Sequence, residues 1–337
     1  IGPEGAHALF DGMARSNTLR VLHISANPKL APAIIKAGAG GGTPQGEAGV
    51  DSGQEAGSAG GGLVGWLGTA ASLQTLDLSN CKLGDAGVKA IAAALETNVN
   101  DSLAHLRLAS NEVSDQGAGM LFSVLARCEN TCVREVDLGW NRIHDVSHMV
   151  DAARRNPSLQ KLYLEWNKLG DKGATELGKA MEAGAALSTL DLSHNDLTGA
   201  CCEALARGLK CSRFMKDMSL CGNTIGLTGA VTLLSGVDPD GPMSRVLMQG
   251  CGLNARDGLM IEVLAPEGKV TRSLGANNVD RLRQVCPELL GTLDYVPPVR
   301  KPGTASSKGK RISTAASATQ EWVRPVTGRS AAPTAGI

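Results

Sequence analysis

The sequence predicts an α/β solenoid: one sheet of short parallel strands, with a helix after each strand. Three observations predict it. An eleven-residue apolar motif recurs along most of the chain, its polar column returns at a near-constant interval, and an amphipathic helical pattern follows the copies.

The motif is L-x-x-L-x-L-x-x-N/C-x-L. It reads LQTLDLSNCKL from Leu73, LAHLRLASNEV from Leu103, VREVDLGWNRI from Val133, LQKLYLEWNKL from Leu159 and LSTLDLSHNDL from Leu187. Weaker copies start at Leu19, Met215 and Met243. The polar column is therefore Asn27, Cys81, Asn111, Asn141, Asn167, Asn195, Asn223 and Cys251, at intervals of 54, 30, 30, 26, 28, 28 and 28 residues. The first interval is one unit plus an insertion. Leu73, Leu76 and Leu78 are expected to point inward. An Asn at the ninth position can bond loop backbone that would otherwise be buried unpaired. Cys81 and Cys251 fill that slot as small, mostly apolar substitutes.

The helical halves read LGDAGVKAIAAAL (83–95), LGDKGATELGKAM (169–181) and LTGACCEALARGL (197–209). Apolar residues fall at i, i+3 or i+4, and i+7, which marks one buried helix face. Asp85 and Asp171 stand where an N-cap accepts backbone N–H bonds. The glycine two residues on is expected to let that first turn pack closely. A single unit cannot bury its own edges, so neighbours must stack. Helices are about 10 Å wide and strands about 4.8 Å apart, so the stack is expected to curve with its strands inside. The concave sheet face then meets solvent, unlike most parallel sheets.

These residues resemble the ribonuclease-inhibitor-type leucine-rich repeats, units of about 28 residues with a full helix each. The resemblance covers residues 1–264 and implies a right-handed horseshoe with parallel strands on the concave face and helices on the convex face. That class includes ribonuclease inhibitor, Ran GTPase-activating proteins, immune-receptor sensor regions and ciliary scaffold proteins.

Residues 1–13 match the loop-and-helix half of a unit, and Ile1 is not a start Met, which suggests chain upstream. Residues 38–62 hold 11 Gly in 25 positions and read as a flexible insertion before a helix at 63–71. Residues 265–298 read as a C-terminal cap. The tail at 299–337 is basic and rich in Pro, Ser, Thr and Ala; Trp322 in TQEWVRP suits a short docking motif, and the positive charge suits an acidic surface.

Lys plus Arg and Asp plus Glu both number 33, which argues against a purely electrostatic nucleic-acid binder. No apolar run approaches the ~18 residues of a membrane helix, and no signal-peptide pattern opens the chain. Nine cysteines, an odd count in a chain of this length, point to free thiols in a reducing, cytoplasmic setting.

Catalytic signatures are weak. GGGLVG (60–65) matches G-x-G-x-x-G but follows a Gly-rich insertion instead of a strand. His144 and His148 have helical i, i+4 spacing, with Asp145 aligning to the helix-start Asp171 and no third ligand in view. No acid–base pair stands out by spacing. The expectation is a non-catalytic protein with no cofactor, metal or small-molecule substrate.

Strand side chains alternate, so the non-leucine positions should line the concave face. The middle position reads His23, Asp77, Arg107, Asp137, Tyr163, Asp191, Ser219 and Leu247. The position before the polar column reads Ala26, Asn80, Ser110, Trp140, Trp166, His194, Gly222 and Gly250. Trp140 and Trp166 thus fall side by side, with Tyr163 and Glu165 next to them. Exposed Trp and Tyr mark binding hot spots. A protein partner is expected here, with Asp137, Asp191 and Arg107 setting electrostatic register and His194 at the margin. Ribonuclease inhibitor likewise uses aromatics on this face, so the resemblance implies the same. The expected function is an interaction scaffold, with a cytoskeletal or ciliary assembly as one setting that the resemblance implies. The alternative is a Ran-type GTPase-activating protein, although those carry an acidic C-terminal region where this tail is basic. A ribonuclease inhibitor proper would be more acidic and richer in Cys.

Overall fold

Among the described residues, eight strands of three residues each form one parallel sheet in chain order. They are β1 Val21–His23, β2 Thr75–Asp77, β3 His105–Arg107, β4 Glu135–Asp137, β5 Lys161–Tyr163, β6 Thr189–Asp191, β7 Asp217–Ser219 and β8 Arg245–Leu247. The computed structural model describes residues 2–252 except 14, 15, 17, 33, 35–62, 68, 69, 97–101, 128–131, 239, 240 and 249. The chain divides into two compact units, Ile1–Tyr295 and Val296–Ile337, and every described residue lies in the first. The insertion at 38–62, the cap at 265–298 and the tail with Trp322 lie outside the described residues.

The register is one residue line per motif position. Leu76, Leu106, Val136, Leu162, Leu190, Met218 and Val246 pair in sequence across the sheet, and all are fully buried. Helices follow the strands at Gly84–Glu96, Asp115–Arg127, Ser147–Arg155, Gly170–Glu182, Cys202–Cys211 and Gly226–Leu234. Their apolar stripes, such as Val88, Ile91 and Leu95 or Leu121, Phe122 and Leu125, join the strand leucines in one continuous core. Each such side chain contributes about 1.5–3 kcal/mol on burial. Helices at Pro3–Met13 and Leu63–Leu67 begin the array. The second is shorter than the apolar run at 63–71 suggested.

The polar column forms a ladder through the core. Asn111 Oδ1 accepts from the N–H groups of Cys81 and Leu83 at 2.9 and 3.3 Å, and its Nδ2 donates to Leu78 O at 2.9 Å. Asn141 repeats this with Asn111, Val113 and Leu108, as Asn223 does with Asn195, Leu197 and Leu192. Each amide thus satisfies the loop backbone of its own unit and of the one before. The cysteines keep part of this role. Cys81 Sγ donates to Ile24 O at 3.2 Å and Cys251 Sγ to Leu220 O at 3.0 Å.

The helix-start carboxylates differ from expectation. Asp85 and Asp171 do not cap their own helices but the beginnings of the next. Asp85 accepts from Ser114 N and Gly117 N at 2.8 and 3.1 Å, and Asp171 from Thr198 N at 2.7 Å. Asp115 likewise accepts from His144 N and Asp145 N. The stacking of units brings each carboxylate beneath its neighbour's open N–H groups. The glycines two residues on, Gly87 and Gly173, lie tightest against Leu83 and Leu169 of their own units; the close approach to a neighbouring unit occurs at Gly117, where a Cβ would collide with Asp85.

The i, i+4 spacing of His144 and His148 does not place both on one helix. The helix starts at Ser147, so His144 precedes it and faces Asp115 at 3.7 Å. His148 faces Ser123 Oγ at 3.2 Å and packs on Gly119. No group of three or more metal-ligating side chains occurs among the described residues. The seven described cysteines are free thiols, and Cys201 and Cys202 are buried. Among the described residues no helix is long and apolar enough to cross a membrane.

Candidate functional site

The outward side chains of each strand, first and third in the triplet, line the face of the sheet away from the helices. His105, Arg107 and Lys161 remain roughly two-fifths exposed there.

The column before the polar ladder reaches that face by a route that strand alternation does not provide. These residues lie in the loop after the strand, and in every described unit their φ is positive: 59° at Ala26, 56° at Asn80, 57° at Ser110, 58° at Trp140 and Trp166, 53° at His194, 69° at Gly222 and 71° at Gly250. A left-handed residue turns the chain from strand into loop and throws its side chain outward. That conformation costs roughly 1–2 kcal/mol for a residue with a Cβ. Backbone bonds hold the column in register, with Trp140 N donating to Glu165 O at 2.7 Å, Trp166 N to Ser193 O at 2.9 Å and His194 N to Cys221 O at 2.8 Å.

Identical positions in stacked units therefore lie about one strand spacing apart, near the contact distance of aromatic faces. The rings stack accordingly. Trp140 and Trp166 have centroids 4.2 Å apart at 16°, and Trp166 and His194 3.9 Å apart at 11°. The third ring ends on Gly222, where a Cβ would run into the imidazole. Both faces of Trp166 are covered, yet 43% of its surface stays exposed, so the ridge offers its edges to solvent. Trp140 and His194 are half-buried.

Beside the ridge lies a cluster of acids around Tyr163. Register places Asp137, Tyr163, Asp191 and Ser219 in one line across β4–β7. Glu165 reaches back toward β4, where its carboxylate fills the space over Gly139. Burial, and then the Asp191 charge, raise the Glu165 pKa to about 7. Burial also pushes Asp191 up, against the lowering effect of bonds from Ser193 and Ser219. Burial, with Glu135 and Asp191 nearby, raises the Tyr163 phenol and keeps it neutral. Burial lowers His194.

The expected site residues thus come together, with two differences. Asp137 is on the open face but fully buried, and its Oδ1 accepts from Gly139 N at 3.0 Å. Asp77 and Asp191 bind the N–H two residues on in the same way, so each gives one oxygen to the strand exit. Arg107 points its guanidinium at Glu135 Oε1, 3.3 Å from Nη2. Sequence reasoning missed Glu135. It is buried, and it gathers His105 at 3.2 Å, Arg107 at 3.3 Å and Lys161 at 3.8 Å. The signal was present in the first strand position, which reads His105, Glu135, Lys161, Thr189, Asp217 and Arg245. Basic and acidic side chains alternate from His105 to Lys161 and again from Asp217 to Arg245, with Thr189 between the two runs.

Comparison with known proteins agrees with this geometry. The leucine-rich-repeat family model matches residues 69–92, 99–122, 129–147, 155–178 and 187–206. The chain is 31% identical to ribonuclease inhibitor of Sus scrofa over 182 residues, 52% of this chain and 39% of that protein. It is 30% identical to NACHT, LRR and PYD domains-containing protein 5 of Homo sapiens over 190 residues, 55% of this chain and 15% of that protein. It is 27% identical to NACHT, LRR and PYD domains-containing protein 3 of Macaca mulatta over 252 residues, 65% of this chain and 24% of that protein. The chain thus spans two-fifths or less of the length of each of these relatives. Strand order, asparagine ladder and sequence likeness together make the array a leucine-rich-repeat solenoid, similar in sequence to ribonuclease inhibitor and to the NACHT, LRR and PYD domains-containing proteins.

Proposed function

We propose that the repeat array is a protein-binding module whose partner docks on the open sheet face over β4–β6, on Trp140, Tyr163, Trp166 and His194. One observation carries the reading: a stacked Trp–Trp–His ridge stands exposed on a face that the described residues leave open. The same column holds the small side chains Ala26 and Ser110 in two other units, and Asn80, Gly222 and Gly250, which meet its backbone requirement more cheaply than Trp, in three more. Trp166 is one of the large apolar side chains left exposed, with Val21 and Phe214. Aromatics so placed dominate binding energy, at about 2 kcal/mol or more for a central residue. The relatives' names point to no cilium or cytoskeletal assembly, so the proposal stops at a protein partner.

The test is a Trp140→Ala/Trp166→Ala double variant of the full chain. It is expected to keep its circular dichroism and lose proteins that the wild type captures. Retention of every wild-type partner by the folded variant would overturn the reading.

A further inference from the structure

We propose that the turn between the helix Cys202–Cys211 and β7 is a second interaction surface, where Phe214 and the cations Lys210, Arg213 and Lys216 take an acidic segment of a protein partner with an apolar side chain among its carboxylates. The turn leads into a strand, whereas the Trp ridge follows the strand exits, so this surface stands apart from the docking face above.

Phe214 breaks a column. The residue before the first apolar position of the motif is Ser72, Ser102, Cys132, Ser158 or Ala186 in the five units before it and Pro242 in the unit after, all half-buried. Ser72 and Ser102 use the position to tie their unit to the previous one. Their hydroxyls donate to Leu19 O at 3.0 Å and to Leu73 O at 2.9 Å. A phenyl ring offers no such bond. It stays 47% exposed and is no part of the continuous core. The fold is built with small side chains at this position, so packing does not call for an exposed ring.

An ordered turn presents the ring. Ser212 N donates to Gly208 O at 2.9 Å and closes the helix. Ser212 Oγ accepts from Phe214 N at 3.3 Å and from Met215 N at 3.1 Å, and Met215 is buried. Lys216 is fixed on both sides, its N–H donating to Ser188 O at 2.8 Å and its carbonyl accepting from Ser244 N at 2.7 Å. Binding on a backbone held in this way loses little conformational entropy.

Charge decides what binds. Lys210, Arg213 and Lys216 are exposed, and none of them makes an ion pair among the described residues. The acids nearest in sequence are already engaged. Glu203 holds Arg207 at 2.8 Å, and Asp217 holds Arg245 at 2.7 Å. Three positive charges thus flank the ring without compensation. Charge complementarity calls for carboxylates, and the ring among the cations calls for an apolar side chain among those carboxylates. A membrane surface fits less well, because attachment takes a broad apolar helix face and here a single ring stands out.

The experiment measures fluorescence anisotropy of the fluorescein-labelled peptide EEELFEEE with the full chain at low salt. The wild type is expected to bind it. Phe214→Ser, which restores the residue of other units, is expected to keep the circular dichroism and to weaken binding about tenfold. Arg213→Gln/Lys216→Gln is expected to weaken it about fivefold. Lys89→Gln/Lys172→Gln removes the same charge from exposed helix positions and is expected to leave the affinity unchanged, as is Trp140→Ala/Trp166→Ala. Absence of wild-type binding overturns the proposal. So does full affinity in Phe214→Ser or in Arg213→Gln/Lys216→Gln, which puts the peptide elsewhere, as on the basic residues 299–337. Equal weakening in Lys89→Gln/Lys172→Gln reduces the effect to net charge and overturns it as well. Loss of the peptide in the double Trp variant assigns the peptide to the ridge, so the second surface falls and the docking face stands. Sedimentation with phosphatidylserine vesicles that Phe214→Ser abolishes, without peptide binding, overturns the proposal in favour of a membrane.

Discussion

Trp140, Trp166 and His194 occupy a backbone position that Gly222 and Gly250 occupy in the next two units, and this shared geometry makes their rings stack. Gly222 has two reasons to remain glycine: a φ of 69° and the imidazole lying against it. Gly222→Ala is expected to cost about 2 kcal/mol, because strain and displacement of His194 add. Chemical denaturation and near-ultraviolet circular dichroism check this; full stability with an unchanged indole signal would contradict it. At this scale the sequence was partly legible. The columns brought Trp140, Tyr163, Glu165, Trp166 and Asp191 to one face before any coordinates. The left-handed backbone was not legible, because Ala, Asn, Ser, Trp, His and Gly share the column without a common composition. Nor were the burial of Asp137 and the path of the Glu165 side chain over Gly139 of the unit before.

The elements are held together by bonds between units, about 24–33 residues apart in sequence. Asn141 shows how much one side chain carries. It accepts from Asn111 N and Val113 N and donates to Leu108 O and Leu138 O, all buried. Asn141→Ala leaves several of these groups without a partner, at about 1–3 kcal/mol each before relaxation. A loss of about 3 kcal/mol is expected, read from the urea midpoint, whereas a loss below ~1 kcal/mol would show that the ladder is not structural. The role of the ninth-position asparagine was legible because a buried amide with two-sided bonding capacity has few other uses. The carboxylate caps were misassigned for the opposite reason. Asp85 and Asp171 stand correctly for a local cap, and only stacking reveals that they bind Ser114 and Thr198 of the next unit instead.

At the scale of the molecule, repetition made the architecture the most legible feature. A motif that recurs at a fixed interval needs only nearest-neighbour stacking to build a sheet, and β1 to β8 follow in that order. The same repetition explains why function was harder to read. Every unit presents the same backbone to solvent, so specificity resides in the few columns where units 4–6 depart from their neighbours. Those departures build an aromatic ridge beside a cluster of half-buried carboxylates, on the face that the helices leave free. Site-specific photo-crosslinking tests this most directly, with a benzoylphenylalanine placed at Ser110, beside the ridge, and another at Glu203, on the helix surface. The docking face predicts that captured proteins crosslink from position 110 and not from position 203. Equal crosslinking from both, or crosslinks from position 203 alone, would contradict it.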